Sequence, residues 1–195
     1  MSLLEQILTL GLINLGLAAV VGVVLGYTAI LEAGNERWNV RYKLLIGILI
    51  FGLMSIIGTY STNSLGALFN FRDGGVISGG LFFGGGIGIG ASLLGTAYRA
   101  TLGGVTMIPC LLGTLSAGII SGYLYHRYRS KITVLTATIA ALGIELFHVL
   151  LVIILVPGEG VEIVFHSSAG LFVIMSTLSV LVFSSCYTTM LKRQG

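Results

Sequence analysis

Long apolar runs divide most of the chain into segments that are each about as long as a membrane-spanning helix. A helix needs roughly 20 consecutive apolar residues to cross a bilayer. The runs lie at about 4–31, 44–61, 105–125, 133–156 and 169–191. The first run is too long for the apolar core of a signal peptide, and no basic segment precedes it. We therefore predict that it is a span as well.

A glycine-rich tract, residues 70–104, lies between the second and third runs. It holds 12 of the 29 glycines and is long enough for two short helices. The triple glycine at 84–86 marks a turn, which leaves arms of about 13 residues, or about 20 Å at 1.5 Å per residue. We predict an all-α polytopic membrane protein with about five full spans plus a Gly-rich hairpin of two short or re-entrant helices.

Composition supports this class and leaves no segment that could form a soluble catalytic domain. Hydrophobic residues make up 55% of the chain and charged residues 9%, with a net charge of +3, whereas a soluble domain has roughly 25% charged residues. The basic residues cluster beside apolar runs, which is a topology signal and does not indicate nucleic acid binding. The spacing of Cys110 and Cys186 indicates neither a metal site nor a disulfide framework. We expect no enzyme activity, cofactor or metal.

The distribution of charge predicts the topology. Eight of the ten Lys and Arg residues fall in three clusters: Arg37/Arg41/Lys43, Arg127/Arg129/Lys131 and Lys192/Arg193. If the glycine-rich tract is a hairpin that returns to its starting side, all three clusters lie on one side, and the positive-inside rule makes that side the cytoplasm. The N-terminus and the acidic loop with Glu159 and Glu162 then lie outside, and the C-terminus is cytoplasmic. The remaining two, Arg72 and Arg99, are expected at the outer mouth of the hairpin.

Two arginines brought together at one mouth repel each other unless an anion lies between them. Guanidinium groups suit carboxylate or phosphate, and the span after Gly103-Gly104 presents its N-terminal amides beside Arg99. Thr106, Cys110 and Thr114 recur at every fourth position of that span and form one polar stripe. These residues predict a small-anion site.

The same residues have structural alternatives. Arg72 could pair with the adjacent Asp73, and Arg99 could reach Glu145 or lipid headgroups. Cys110 could be a small packing residue. Glu145 and His148 lie one helical turn apart. They could form a proton-linked pair, they could support the arginines from behind, or they could be a buried hydrogen-bonded pair at a helix interface.

The tract "FNFRDGGVISGGLFFGGGIGIGASLLGTAYRATLGGVTMIPCLLGTLSAGIISGYLYHRY" resembles the five-transmembrane receptor domain of LytS-type sensor histidine kinases. The matching positions are Asn70, Arg72, Arg99, Gly103, Gly104, Thr106, Cys110, Gly118, Gly122 and Glu145. The resemblance extends from about residue 44 onward. It departs from the family at Ala100, where relatives have an aromatic residue, and in prolines that the hairpin and the last span lack.

The resemblance implies one transmembrane sensor domain over residues 1–195. Its parts are an N-terminal span and basic loop (1–43), a ligand-binding core (44–126), and the last two spans with a cytoplasmic tail (127–195). Some members respond to pyruvate-like carboxylates, which makes Asn70, Arg72, Arg99, Thr106, Cys110 and Thr114 the expected ligand-binding residues, with Glu145 and His148 behind them. Relatives join this domain to a histidine kinase or diguanylate cyclase, which we do not expect in this sequence.

The expected partners are a small carboxylate, membrane lipid, and either a kinase or cyclase domain or a response regulator. The domain could also form a homodimer. Two other functions fit the sequence pattern. The short glycine-rich bundle also resembles substrate-binding subunits of energy-coupling-factor vitamin transporters. A scaffold protein whose arginines contact lipid phosphates is the third hypothesis.

Overall fold

The computed structural model describes residues 3–32, 39–59, 63–64, 67–68, 71–166 and 169–193. Helices dominate these ranges: α1 (Leu3–Thr28), α2 (Val40–Gly58), α3 (Asp73–Phe83), α4 (Gly85–Leu102), α5 (Met107–Tyr128), α6 (Val134–Leu155), α7 (Gly160–His166) and α8 (Ala169–Lys192). A two-residue antiparallel pair, β1 (Asn63–Ser64) with β2 (Ala67–Leu68), precedes α3, and a 3-10 turn, Arg129–Lys131, follows α5. The five helices α1, α2, α5, α6 and α8 are long and apolar enough to span a membrane, as predicted.

The glycine-rich tract forms the predicted helical hairpin, α3 followed by α4. The chain turns at Gly84, whose φ of 102° is in the left-handed region that favours glycine. The two arms are unequal: α3 has 11 residues and α4 has 18, or about 16 and 27 Å. The expectation of equal arms of about 13 residues is therefore wrong. The helix α4 continues through polar Thr96 and Arg99 because neighbouring helices bury both side chains.

Close packing of α3, α4 and α5 depends on glycine. A Cβ added at Gly88 would lie 2.8 Å from the Cα of Gly80 and 3.0 Å from the carbonyl oxygen of Gly118. Real Cβ atoms do not approach backbone that closely, so the three helices could not keep this spacing with larger residues. Small-residue interfaces of this kind let membrane helices approach each other.

Several contacts gather the basic residues at one end of the bundle, which we call the basic end. The turn of the hairpin lies there, since the Phe83 and Tyr187 rings are 5.2 Å apart. The Tyr187 hydroxyl donates to Glu32 Oε1 at 2.7 Å, and the Arg129 guanidinium lies 5.4 Å from the centre of the Tyr125 ring. The Lys43 ammonium, near the start of α2, donates to the Glu32 carbonyl at 2.6 Å. The start of α2 and the ends of α5 and α8, which carry the described basic residues, therefore meet on one side, as a hairpin requires.

Candidate functional site

Arg72 lies at the start of α3, at the end of the bundle opposite the basic end, and is 0% exposed. The backbone just before it is held by two other helices. The Phe71 N–H donates to the Gly58 carbonyl at 2.8 Å, and the Asn14 side chain donates to the Phe71 carbonyl at 3.2 Å. This anchoring directs Arg72 and Asp73 into the bundle instead of into solvent.

The Arg72 side chain reaches α5. Its Nε donates to the Thr114 hydroxyl, and its Nη2 donates to the Cys110 carbonyl at 2.7 Å. Thr114 lies seven residues beyond the start of α5, about 10 Å along the helix. Arg72 is therefore in the interior of the protein and not at an open mouth, which corrects the exposure expected from the sequence. Arg72 does lie at the predicted end of the bundle, opposite the basic end.

Asp73 links α3 to both α5 and α6. Its Oδ1 accepts from the Thr114 hydroxyl at 2.6 Å and lies 3.5 Å from Arg72 Nε. Its Oδ2 lies 2.6 Å from His148 Nδ1. One carboxylate thus organises an arginine, a threonine and a histidine, all of them buried.

Arg99 lies in the last turn of α4 and is also 0% exposed. Its Nη1 donates to the Gly103 carbonyl, and its Nη2 lies 3.3 Å from the Thr106 hydroxyl. Gly103 and Gly104 have φ values of 65° and 91°, a left-handed conformation that suits glycine and turns the chain back along α5. The Cys110 thiol is close enough to interact with both the Arg99 guanidinium and the His148 ring.

Some buried polar atoms of this region have no hydrogen-bond partner within the part of the chain that the structure describes. They include two donors, Arg72 Nη1 and Arg99 Nε, as well as Glu145 Oε1 and the Ser55 hydroxyl. No described carboxylate forms an ion pair with Arg99, whereas Arg72 has Asp73. Buried polar groups are nearly always paired, so these atoms mark places where a further group would fit.

The structure brings most of the predicted site residues together. Arg72, Cys110, Thr114 and His148 share one network, and Arg99 with Thr106 lies beside it. The alternative pairing of Arg72 with Asp73 is present, so that pairing and an anion site are compatible. Asn70 lies outside the described residues.

Glu145 does not pair with Arg99, which was one of the structural alternatives. Its carboxylate lies beside Asp73 and His148. One carboxylate oxygen of Glu145 is within 4.8 Å of a carboxylate oxygen of Asp73 and of a ring nitrogen of His148. Arg99 instead uses the Gly103 carbonyl and Thr106, because the turn after α4 brings them closer.

Sequence reasoning missed two members of the site. The sequence places Asp73 only beside Arg72, and its contact with His148, 75 positions away, has no local signal. Ser55 is fully buried, and a Cβ added at Gly95 would contact both Ser55 and, at 3.9 Å, Thr114. A single serine in an apolar run carries no pattern that would mark it.

Comparison with known proteins identifies the family. A family model described as "5TMR of 5TMR-LYT" matches residues 27–189. The chain belongs to this family of LytS-type five-transmembrane receptor domains. The motifs of the glycine-rich tract had indicated the same family.

Curated relatives of this receptor domain are sensor proteins. It is 29% identical over 141 residues to "Sensor histidine kinase YpdA" of Escherichia coli (strain K12), covering 71% of this chain and 25% of that protein. It is 23% identical over 200 residues to "Sensor protein LytS" of Bacillus subtilis (strain 168), covering 87% of this chain and 34% of that protein. It is 26% identical over 171 residues to "Sensor protein LytS" of Bacillus anthracis, covering 82% of this chain and 26% of that protein.

The receptor domain therefore spans about a quarter to a third of the length of the curated relatives it matches. No solved structure matches it. It is a multi-pass membrane module of the sensory type, and the described region carries no catalytic domain.

Proposed function

We propose that this transmembrane signal receptor domain binds a small carboxylate of the pyruvate type between Arg72 and Arg99. The observation that carries the proposal is the state of Arg99, which is fully buried and forms no ion pair with any described carboxylate. A buried charge without a counter-charge is strongly destabilising. A bound carboxylate would supply the negative counter-charge. It would also accept hydrogen bonds from Arg99 Nε and Arg72 Nη1, the two arginine donors without partners among the described residues.

The surroundings favour a small ligand. The Cys110 thiol and the Thr106 hydroxyl lie beside Arg99, so a carbonyl or hydroxyl next to the carboxylate would find polar partners. Packing limits the size, since Ser55 on α2 and Thr114 on α5 both lie against Gly95 of α4. A three-carbon oxo acid suits such a site better than a dicarboxylate or a phosphorylated sugar.

Binding is relayed, in this proposal, through the contact between α3 and α8. A Cβ added at Gly74 would lie 2.9 Å from the Cβ of Ser179, so the start of α3 packs directly on α8. Ligand contacts that shift Arg72 would shift this helix and, through it, the basic end of α8. Any such shift requires a difference in ligand affinity between two states. The output would be a cytoplasmic histidine kinase, as the name of the Escherichia coli relative suggests, that phosphorylates a response regulator, or a cyclase, as the family resemblance implies.

Isothermal titration calorimetry with pyruvate on the purified domain tests the ligand. We expect binding to the unmodified protein and at least about a tenfold loss of affinity in Arg99→Gln, equivalent to about 1.4 kcal/mol. Arg129→Gln, which removes an arginine at the basic end, is the matched control and should bind normally. Absence of heat with pyruvate, lactate and acetate would overturn the proposal, as would unchanged binding in Arg99→Gln.

We also propose that the basic end faces the cytoplasm and the N-terminus lies outside, in accordance with the positive-inside rule. Single cysteines replacing Glu159, in the acidic loop, and Lys131, at the basic end, report the two sides. A membrane-impermeant maleimide added to intact cells should label Glu159→Cys and leave Lys131→Cys unlabelled. The reverse pattern would invert the topology.

A further inference from the structure

A second cluster of chemically active groups lies behind Arg72. Asp73 of α3 and Glu145 and His148 of α6 place one potential ligand atom each within 4.8 Å of one another. All three residues are buried. Glu145 and His148 share one face of α6 because residues three apart on a helix are neighbours, and the same Glu-x-x-His spacing supplies metal ligands in helical bundles.

We propose that Asp73, Glu145 and His148 bind one divalent transition-metal ion of the Zn²⁺ type. Carboxylate oxygens and imidazole nitrogens are established ligands of such ions. Its three ligands are not the groups proposed to hold the anion between the arginines, and Asp73 connects the two sites through its contacts with Arg72 and Thr114.

The unpartnered oxygen of Glu145 is a separate observation that points to a cation. Glu145 is 7% exposed, and its Oε1 has no hydrogen-bond partner among the described residues. A buried carboxylate oxygen without a partner is costly. It lies next to a second carboxylate, Asp73, where like charges repel. A divalent ion between the two carboxylates removes both penalties.

The surrounding residues hold the ligands in position. Thr114 and Arg72 both contact Oδ1 of Asp73, which leaves Oδ2 directed toward His148. Outer partners of this kind orient metal-binding carboxylates and imidazoles. The two carboxylates together balance the charge of a divalent ion, so Arg72 need not be displaced.

The backbone of α5 fixes the histidine ring. A Cβ added at Gly113 would lie 2.5 Å from Cγ and 2.7 Å from Nε2 of His148, so the ring packs against that glycine. Its Nε2 edge therefore faces α5, and its Nδ1 faces Asp73 Oδ2 at 2.6 Å. That short contact is a hydrogen bond with a proton between the two atoms. A metal ion would replace this proton and release it to solvent.

The test uses Co²⁺, whose visible absorption reports ligand binding, on the whole purified domain without added carboxylate. Equilibrium dialysis should give one Co²⁺ per chain, displaced by Zn²⁺, with a proton released in unbuffered solution. Glu145→Gln and His148→Asn should each weaken binding at least about tenfold, and Thr114→Val about 10- to 100-fold as the loss of an outer partner. Circular dichroism verifies that each variant is folded.

Matched controls separate the cluster from surface ligands. Glu162→Gln and His126→Asn remove exposed residues of the same types and should leave Co²⁺ binding unchanged. Absence of Co²⁺ binding to the unmodified protein would overturn the proposal. Binding that persists in both Glu145→Gln and His148→Asn would overturn it as well. Because the proposed carboxylate is tested by calorimetry on Arg99→Gln, the two proposals fail separately.

Discussion

Replacing Asp73 by asparagine tests whether the buried network is a charged one. The substitution keeps the shape of the side chain and removes its charge, leaving Arg72 at 0% exposure without its ion pair. The asparagine side chain still offers an oxygen to Thr114 and an amide nitrogen to His148, so the lost interaction is mainly electrostatic.

The magnitude follows from the geometry. Opposite unit charges 3.5 Å apart attract by about 5 kcal/mol at an effective dielectric constant of 20. Removing one partner of a buried pair costs about 3–5 kcal/mol in proteins. We expect a loss of about 3 kcal/mol, at the low end of that range, because the hydrogen bonds to Thr114 and His148 are largely kept.

The assay is reversible unfolding of the purified domain in mixed micelles of increasing SDS fraction, followed by circular dichroism without added ligand or metal. Arg72→Gln and the double variant complete a double-mutant cycle, which isolates the pairwise energy. The double variant should lose at least about 1.5 kcal/mol less than the sum of the single losses. A loss below about 1 kcal/mol for Asp73→Asn, or a coupling within about 0.5 kcal/mol of zero, would refute a charged buried pair.

Two further predictions concern contacts that α8 makes with α1 and with Glu32, which follows α1, and use the same unfolding assay. Gly22→Ala places a Cβ 2.7 Å from the carbonyl oxygen of Phe183 and should cost about 1–3 kcal/mol. Gly16→Ala, where nothing lies within 4 Å, should be neutral or stabilise by up to about 1 kcal/mol, and equal effects would contradict this packing. Tyr187→Phe removes the 2.7 Å hydrogen bond to Glu32 and should cost about 1 kcal/mol. An unchanged unfolding midpoint would show that this bond does not stabilise the basic end.

The sequence predicted the helices of this domain more reliably than their side-chain environments. Span length and the positions of glycine depend on local hydropathy and backbone freedom, and both can be read along the chain. The turn at Gly84 and the start of α5 after Gly104 follow from these signals. The length of α4 could not be predicted, since its polar last turn, with Thr96 and Arg99, is stabilised by burial against other helices.

The sequence predicted that most of these polar residues would lie close together, and it did not predict how deeply they are buried. Repeats such as Thr106, Cys110 and Thr114 lie on one helix face by spacing alone, and their burial agrees with that stripe. Burial of Arg72 depends on Thr114 and the Cys110 carbonyl, 42 and 38 positions away. Local hydropathy does not report contacts between residues that are far apart in the sequence. From hydropathy alone, a charged residue can only be assigned to the nearest end of a span.

In the proposed complex, a carboxylate occupies the free donors of the two buried arginines. Nitrogen NMR of the domain labelled with [¹⁵N]arginine tests this most directly, because Arg99 Nε has no partner among the described residues. Adding pyruvate should shift an arginine Nε resonance that is missing from Arg99→Lys, while the arginines of the basic end stay unchanged. If pyruvate binds, as measured by calorimetry, and the Arg99 Nε resonance does not move, the carboxylate does not lie between the two arginines.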